Sequence, residues 1–297
     1  MMPTPTAIPG VDALWPLCLD IALHRRGGLA RLPWKPDAPL AGDAVHGFSL
    51  RGVWDDAAVE LFELIKPLLD RPRGGTPWVI GQLGQSLDGY VATHNGDSHY
   101  VNGREVLVHL HRLRALCDAV IIGANTAALD DPQLTTRHVD GRHPVRVLID
   151  PALRLMPTLR ALSDRLAPTL LACDASRTSE AARRFGADQV LGVPALVDGE
   201  GRLNVRALVA ELASRDLRVL FVEGGGVTVS RFIAQRCLDR LHLSIAPVVI
   251  GSGRPGLQIP RSAAMRDCLR PSARIFRMGD DVLWDLDLRE TSHDSPL

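Results

Sequence analysis

Continuous apolar runs recur along the chain from Trp78 onward and alternate with segments of helical periodicity. The runs are unbroken rather than alternating in polarity, which is typical of parallel strands that are buried on both faces of a sheet. The last two runs, Leu241–Ile250 and Val282–Leu288, follow one another without a strong helix between them, which indicates an antiparallel pair. The sequence therefore predicts an α/β fold with a mostly parallel central sheet, flanked by helices, and an antiparallel edge.

Turn residues and apolar spacing place the other elements of this sheet and its helices. Asn102, followed three residues later by Glu105, matches a capping box and predicts the start of a helix there. The apolar residues of that helix are expected to be Val106, Leu110, Leu113 and Cys117. Two more helices are predicted, at Thr178–Phe185 and Leu203–Ser214. Further strands are predicted at Trp78–Gly84, Tyr90–Ala92, Ala119–Gly123, Val145–Asp150, Thr169–Ala172, Gln189–Leu191 and Arg218–Glu223.

The first 76 residues differ from the rest, because three of the five tryptophans lie there among many prolines. Two helices are predicted in this part, at Val11–Leu23 and Asp55–Leu69, and Arg71–Pro77 is typical of a linker. The sequence therefore predicts a small N-terminal helical segment of unknown role at residues 1–76. A main domain follows at residues 77–290, and a tail at residues 291–297.

Composition narrows the class of partner and the cellular compartment. The formal net charge is +0, which gives no support for a nucleic-acid or anionic-membrane partner. The five cysteines are scattered and mostly inside apolar runs, so we expect reduced thiols in a cytoplasmic protein. No apolar run approaches the ~20 residues of a membrane span, and we expect no secretory signal at the N-terminus.

Three consecutive glycines, Gly224, Gly225 and Gly226, follow the predicted strand Arg218–Glu223 and precede a helical pattern. Glycines at such a junction let a phosphate approach several backbone N–H groups closely. The same glycines can also form a turn that only links strand to helix. Glu223 stands at the carboxyl end of the strand, where open α/β sheets bind their ligands.

A second loop begins at the end of the strand Ala119–Gly123 and contains Asp130, Asp131 and Pro132. These residues are consistent with a loop that faces a ligand, or with a helix stop made by ordinary turn residues. Arg137 extends the same loop, where its guanidinium can bind a phosphate or remain solvated.

Nucleophile and metal motifs are absent from the sequence. His109 and His111 are two residues apart on a predicted helix, so they point in different directions and cannot form a paired metal site. The sequence contains no GxSxG, HExxH or Walker motif and no zinc-deaminase signature. A sheet with phosphate-binding glycines but no nucleophile or metal indicates a nucleotide cofactor that carries the chemistry.

Taken together, these stretches resemble the reductase domain of the bifunctional riboflavin-biosynthesis deaminase–reductase, a member of the dihydrofolate-reductase-like superfamily. The resemblance covers roughly residues 77–290 and lacks the deaminase domain. The matching motifs are SLDGYVA (Ser86–Ala92), the GDSHYV region, RLRALCDAVIIGANTAALDDPQLTTR (Arg112–Arg137), PVRVLID (Pro144–Asp150), VEGGG (Val222–Gly226) and LDRLHLSIAPVVIGSG (Leu238–Gly253).

The resemblance implies a dihydrofolate-reductase-like fold and an NADPH-dependent reduction of the ribosyl side chain of a (di)aminopyrimidine ribose 5-phosphate to a ribityl chain. It implies an NADPH site lined by Gly84, Tyr100, Thr126 and Asp130, with Gly225, Gly226, Val227, Thr228, Val229, Ser230 and Arg231 around the phosphates. It implies a substrate site formed by Ser98, Arg114, Leu134, Arg137 and Glu223. Asp130 is the candidate catalytic residue, as a polar group near the reacting ribose.

Two departures from the family pattern leave other functions open. The family usually has a lysine where Gln82 stands, and often a serine where Pro151 stands. Without the lysine, a pterin or dihydrofolate-like heterocycle is an alternative substrate. A catalytically silent nucleotide-binding protein on the same fold is another alternative.

The partner predicted by the resemblance is a small phosphorylated pyrimidine, without nucleic acid or membrane. Family members commonly pair through their sheet edges, so a homodimer through the apolar strand Leu241–Ile250 is expected. A preference for NADPH needs a cation near the adenosine 2′-phosphate, and Arg177 is the residue predicted for it.

Overall fold

The computed structural model describes residues 8–29, 31–34, 38–43, 45–72, 74–98 and 101–289. The chain divides into two compact units at the Gly75–Thr76 bond. The second unit contains every strand and glycine motif on which the functional predictions depend. All five cysteines are free, and Cys18, Cys117 and Cys173 are buried.

The first unit contains the two helices predicted from the sequence, together with a short hairpin that the sequence analysis does not predict. Its helices are α1 (Val11–Arg25) and α2 (Asp56–Leu69), and the hairpin pairs β1 (Leu40–Asp43) with β2 (Gly47–Leu50). Asp55 caps α2 by accepting a hydrogen bond from the Ala58 N–H at 2.7 Å. The hairpin strands are only four residues long, too short for a clear alternating pattern in the sequence.

The second unit follows the alternating strand–helix pattern that the sequence predicts. Its helices are α3 (Arg104–Leu116), α4 (Ala124–Asp130), α5 (Arg160–Ser163), α6 (Thr178–Phe185), α7 (Val205–Ser214) and α8 (Gly226–Ala234). Its strands are β3 (Trp78–Ser86), β4 (Tyr90–Thr93), β5 (Ala119–Gly123), β6 (Val145–Ile149), β7 (Thr169–Asp174), β8 (Val190–Val193), β9 (Val219–Glu223), β10 (Arg240–Ala246), β11 (Gly253–Pro255), β12 (Ser272–Met278) and β13 (Asp281–Asp287).

Nine of the described strands form one sheet in the order β12-β13-β10-β3-β9-β5-β6-β7-β8. The seven strands from β10 to β8 are parallel, and β13 and β12 add to β10 as antiparallel strands at one edge. The predicted α/β class, with its parallel sheet and antiparallel edge, is confirmed. Strands β4 and β11 form a separate antiparallel pair.

Alternate residues of the parallel strands supply two buried layers, as the period of two requires. One layer contains Leu220 and Val222, and it packs against Val229 and Phe232 of α8 and against α7. On the opposite face, α3 contacts β10 through His109 and His242 and contacts β9 through Arg114 and Glu223. Because parallel strands end at the same edge, the loops after β3, β9, β5 and β6 are neighbours. No helix among the described residues is long and apolar enough to cross a membrane.

One predicted strand end and one predicted helix cap differ from the structure for identifiable reasons. The strand predicted at Leu241–Ile250 ends at Ala246, because the following backbone turns to bond with the Ser86–Gly89 turn. There the Val248 carbonyl accepts from the Leu87 N–H at 2.9 Å, and the Asp88 carboxylate accepts from the Gly251 N–H at 2.7 Å. Strand β12, with most of its side chains exposed, is absent from the sequence prediction.

The capping box at the start of α3 is the second wrong prediction. The N-cap is Gly103, and its N–H donates to Asp281 Oδ2 at 2.6 Å. Asn102 instead lies against β3, where an ideal Cβ on Gly84 would come within 1.7 Å of Asn102 Oδ1. The glycine at position 84 therefore makes room for the Asn102 side chain.

Candidate active site

A large cavity opens at the carboxyl ends of β3, β9, β5 and β6, with a volume of about 1330 Å³. This exceeds the roughly 300–1,000 Å³ that is usual for one small ligand, so the space suits a cofactor together with a substrate. Ten of the residues predicted from the sequence line it: Gly84, Ser98, Thr126, Asp130, Glu223, Gly225, Gly226, Val227, Thr228 and Arg231.

The glycine segment forms one wall of the cavity. Gly224 has φ +117°, which an L side chain rarely adopts, and Gly225 is the N-cap of α8. An ideal Cβ on Gly226 would lie 1.8 Å from the carbonyl oxygen of Gly256, so only glycine fits this approach. The start of α8 thus presents backbone N–H groups and the positive end of the helix dipole at the cavity wall.

The loop after β5 lies directly against this glycine segment. The Gly225 N–H donates to Thr126 Oγ1 at 3.2 Å. An ideal Cβ on Gly123 would come within 2.5 Å of Thr228 Oγ1, so α4 and α8 begin in close contact. The two sequence features predicted to bind ligand therefore share one cavity. The short helix α4 ends at Asp131, whose φ of 39° marks the turn into the following loop.

Glu223 is held by a buried arginine on α3. Arg114 Nε and Nη2 donate to the two carboxylate oxygens of Glu223 at 2.8 and 2.6 Å. Arg114 Nη1 donates to the Thr135 carbonyl at 2.9 Å. Arg114 is only 4% exposed and lies behind Glu223 rather than on the described cavity wall. Its three guanidinium nitrogens all donate within the protein, two of them to the carboxylate of Glu223.

Arg137 lies beside this pair on the loop after α4. Its Nη1 donates to Thr135 Oγ1 at 2.8 Å, and its backbone N–H donates to His111 Nδ1 at 2.9 Å. Partial burial, followed by the positive charge of Arg114, lowers the pKa of Arg137. No carboxylate of the described residues forms an ion pair with Arg137. An anion bound there would relieve this repulsion.

A row of four polar side chains crosses the sheet beneath α3. Strand register places Asp285 next to His242, His242 next to Gln82, and Gln82 next to Glu223. His109 of α3 contacts this row, with its Nε2 2.8 Å from His242 Nδ1. Burial lowers the pKa of both histidines, so both are neutral near pH 7.

Gln82 lines the cavity from this row. It is 4% exposed, and its Oε1 atom has no hydrogen-bond partner among the described residues. The histidine neighbour on one side is neutral, and the Glu223 neighbour on the other is paired with Arg114. A carboxamide therefore occupies this place without creating an unpaired buried charge.

Other predicted site residues lie outside the described cavity lining. Leu134 is fully buried with φ +57°, and Val229 belongs to the core. Ser230 is also buried, and its Oγ accepts a hydrogen bond from the Gln258 N–H at 2.7 Å. Tyr100 lies outside the described residues. The described part of the chain contains no cluster of three or more side chains suited to hold a metal ion.

Arg154 and Asn102 are among the cavity residues that sequence reasoning did not assign to the site, and the role predicted for Arg177 stays a prediction. Arg177 is paired with Glu180 at 2.8 Å and is not part of the described lining. Arg154, four residues after Asp150 and just beyond β6, lines the cavity. Asn102 also lines it, although the sequence assigned it to a helix cap. Arg154 follows the predicted strand Val145–Asp150, which was the available signal, but Arg177 follows the next predicted strand in the same way.

Comparison with known proteins identifies the family. Residues 77–267 match the family model described as the RibD C-terminal domain. A 2,5-diamino-6-ribosylamino-4(3H)-pyrimidinone 5′-phosphate reductase of Methanothermobacter thermautotrophicus is 33% identical over 216 residues, which cover 70% of this chain and 96% of that protein. The riboflavin biosynthesis protein RibD of Bacillus amyloliquefaciens is 32% identical over 190 residues, 64% of this chain and 50% of that protein. The chain thus spans about half of that relative.

Solved structures support the same fold. One form of Acinetobacter baumannii RibD aligns with a TM-score of 0.61 at 22% identity, over 78% of this chain and 62% of that chain. A riboflavin biosynthesis reductase of Saccharomyces cerevisiae aligns with a TM-score of 0.61 at 18% identity, over 77% of this chain and 99% of that chain. These likenesses confirm the dihydrofolate-reductase-like fold that the sequence motifs predicted. By its sequence from residue 77 to residue 267, the chain belongs to the RibD C-terminal domain family.

Proposed function

We propose that the chain is an NADPH-dependent reductase of riboflavin biosynthesis, which converts the ribosyl side chain of a (di)aminopyrimidine ribose 5-phosphate to a ribityl chain. The observation that carries the proposal is a single cavity whose wall contains both the glycine start of α8 and Glu223. The Methanothermobacter relative, which this chain covers almost completely, is named as a reductase of such a substrate.

The residues present fit a reduced nicotinamide dinucleotide. Gly225 and Gly226 form the start of α8, where backbone N–H groups can meet phosphates, and Arg231 of the same helix lines the cavity. Thr126 fixes the glycine segment through its contact with the Gly225 N–H. The nicotinamide of the bound dinucleotide supplies a hydride to the ribosyl carbon, which the protein itself cannot do.

Glu223 is the residue proposed to bind the edge of the heterocycle. A carboxylate with fixed oxygens accepts N–H hydrogen bonds from the edge of an aminopyrimidine, and Arg114 holds those oxygens in place. Arg137, beside this pair, is the proposed cation for the ribose phosphate. Ser98 and Asp130 line the same cavity, and Asp130 remains the predicted polar group near the reacting ribose. A cavity of this depth holds the reacting carbons together and excludes water.

Gln82 supports one alternative substrate class. A neutral carboxamide polarises a sugar carbonyl less than the lysine usual in the family. A pterin or dihydrofolate-like heterocycle, which needs no cation at that point, is therefore the second candidate. The predicted homodimer and the cytoplasmic location stay predictions.

The test is NADPH oxidation by the full chain, with the phosphorylated ribosylaminopyrimidine and with dihydrofolate as separate substrates. The proposal predicts turnover of the pyrimidine and not of dihydrofolate. The reverse result supports the pterin alternative, and NADPH binding without turnover of either supports a silent nucleotide-binding protein.

A single substitution checks the role of the carboxylate. Glu223→Gln keeps the shape of the side chain but loses two charge-assisted acceptors, so the KM for the pyrimidine is expected to rise far more than the Kd for NADPH. Equal losses for both ligands would remove Glu223 from its assigned role.

A further inference from the structure

The segment that follows α4 and carries Arg137 contains two residues other than glycine in the left-handed region of the backbone. Asp131 has φ 39° and Leu134 has φ 57°. A bulky side chain such as leucine is rarely found there, and such residues keep this conformation only where the surrounding structure imposes it. They are common at binding and catalytic sites. The contacts that impose the conformation therefore show which residues hold the segment.

The middle of the segment is held from the sheet. Leu134 is fully buried. The Gln133 carbonyl accepts a hydrogen bond from Arg146 Nη1 of β6 at 3.1 Å. Arg146 is itself fully buried, and Asp164 Oδ1 lies 2.8 Å from the same nitrogen. An arginine that is buried and paired in this way cannot change its place without leaving a buried charge unpaired.

The far end of the segment is held by α3. The Arg137 N–H donates to His111 Nδ1 at 2.9 Å, and Arg137 Nη1 donates to Thr135 Oγ1 at 2.8 Å. The Thr135 carbonyl accepts from Arg114 Nη1 at 2.9 Å, and Arg114 also holds Glu223. The conformation of the segment therefore decides where the guanidinium of Arg137 lies relative to Glu223.

Asp131 holds the near end of the segment through a contact with a residue 29 positions further along the chain. Its Oδ1 accepts from the backbone N–H of Arg160 at 2.7 Å, and its Oδ2 accepts from Arg160 Nε at 3.3 Å. The Asp131 side chain is 40% exposed, so an ion pair there adds little to the stability of the fold. Asp131 is the second aspartate of the pair before Pro132, and the reductase proposal assigns a role only to the first, Asp130.

We propose that Asp131 is a positioning residue, which keeps residues 131–137 in the conformation that presents Arg137 to the phosphate of the substrate. This role rests on the proposed function, in which Arg137 binds that phosphate. Without the carboxylate, the Arg160 N–H loses its acceptor, and the segment can leave the left-handed conformation at its first residue. The cation must then be ordered when the phosphate binds, which weakens the binding.

The test is the steady-state reduction of the phosphorylated ribosylaminopyrimidine by the full chain with saturating NADPH. Asp131→Ala is expected to raise the KM for this substrate about tenfold, which is the lower end of the range for a hydrogen bond to a charged group. The kcat is expected to stay within about twofold, because the phosphate is bound equally before and during hydride transfer. The Kd for NADPH, measured by fluorescence titration, should be unchanged.

The same pyrimidine without its phosphate shows whether the effect acts through the phosphate. Its inhibition constant should differ by less than about twofold between Asp131→Ala and the wild-type protein, because Arg137 has no phosphate to bind. Asp131→Gly, which takes the left-handed conformation without strain but offers no acceptor, should show the same rise in KM as Asp131→Ala. Asp131→Asn keeps an oxygen acceptor and tolerates this conformation, so it should restore the KM to within about threefold of the wild-type value.

Asp216→Ala is the matched control. Asp216 also has a left-handed φ, of 62°, and pairs with Arg218 Nε at 3.1 Å, but it precedes the amino end of β9 and the cavity opens at the carboxyl end. This variant should leave the KM and the inhibition constant unchanged.

Three results would overturn the positioning role and leave the reductase proposal standing. They are an unchanged KM in Asp131→Ala and Asp131→Gly, an equal weakening of both pyrimidines, and a KM in Asp131→Asn as high as that in Asp131→Ala. A wild-type protein that does not reduce the phosphorylated pyrimidine would instead overturn the proposed function itself.

Discussion

Individual side chains in this cavity act through partners that the sequence does not reveal. The resemblance placed Arg114 among the predicted substrate-site residues, and the fold pairs it with Glu223, which lies 109 residues further along the chain. Local patterns cannot show such a pair. The same limit applies to Asn102, whose spacing to Glu105 satisfies a capping box while its side chain lies against Gly84.

Breaking the Arg114–Glu223 pair is expected to destabilise the fold strongly. Their side chains are 5% and 14% exposed, so Arg114→Met leaves a nearly buried carboxylate without its partner. The expected loss is about 3–5 kcal/mol in the free energy of unfolding, measured by urea denaturation.

The control for this variant is an exposed pair of the same kind. Arg202 pairs with Asp198 at 2.9 Å, and the Arg202 side chain is 64% exposed. Arg202→Met should cost less than about 1 kcal/mol. Equal and small losses for the two variants would mean that the Arg114–Glu223 pair is not stabilising.

Among the secondary-structure elements, the parallel strands were the most predictable. Strand β5 and helix α6 have the same bounds in the sequence prediction and in the structure, because long apolar or strongly periodic runs define them. Strand β10 is shorter than its apolar run, since bonds to the Ser86–Gly89 turn decide where it ends. The edge strand β12 has few buried residues, so its sequence carries little signal.

The start of α8 is the element on which cofactor binding depends. Gly226→Ala would place a Cβ against the Gly256 backbone, which cannot yield as a flexible side chain can. We expect the two segments to move apart and the affinity for NADPH to fall at least tenfold. Fluorescence titration of NADPH measures this.

Gly199→Ala is the matched control for the glycine variant, because an added Cβ there meets nothing within 4 Å. Its affinity for NADPH should equal that of the wild-type protein. If Gly226→Ala binds NADPH as well as Gly199→Ala does, the α8 junction does not hold the phosphates.

His111 of helix α3 is expected to make the stability of the fold depend on pH. Burial, followed by the charges of Arg114 and Arg137, lowers the pKa of His111 to about 3. In the unfolded chain the imidazole of His111 becomes protonated near pH 6.5, whereas in the folded protein it stays neutral down to about pH 3. The free energy of unfolding is therefore unaffected by this proton above about pH 6.5. Below that pH it falls by about 1.4 kcal/mol per pH unit, until the pH reaches about 3.

His111→Asn tests this dependence. The asparagine oxygen can accept the Arg137 N–H as His111 Nδ1 does, but it does not titrate. Between pH 6 and pH 4 the free energy of unfolding of this variant should fall less steeply with decreasing pH than that of the wild-type protein. Parallel curves would show that His111 is protonated in the folded state.

For the molecule as a whole, all described residues of the cavity wall come from the second unit, between Gln82 and Gln258. We therefore expect residues 76–297 alone to bind NADPH with a Kd within about threefold of the full chain. A much weaker affinity in the correctly folded fragment, checked by circular dichroism, would mean that residues 1–75 contribute to the site.

The general architecture and the location of the cavity were predictable, because strand order in parallel sheets brings loops together at one edge. The contacts with the substrate were less predictable from the sequence. The resemblance implies that Gln82 stands where the family usually has a lysine, but only the register of three strands shows that this carboxamide lies between a neutral histidine and a paired carboxylate.

The most direct test of the account follows the hydride itself. NADPH carrying deuterium at the transferred position of C4 is incubated with the full chain and the phosphorylated ribosylaminopyrimidine, and the product is analysed by mass spectrometry. The account predicts one deuterium on the former ribosyl carbon of a ribityl product. NADPH oxidation that leaves no deuterium on that carbon would contradict a cavity in which the glycine wall and Glu223 present cofactor and pyrimidine to each other.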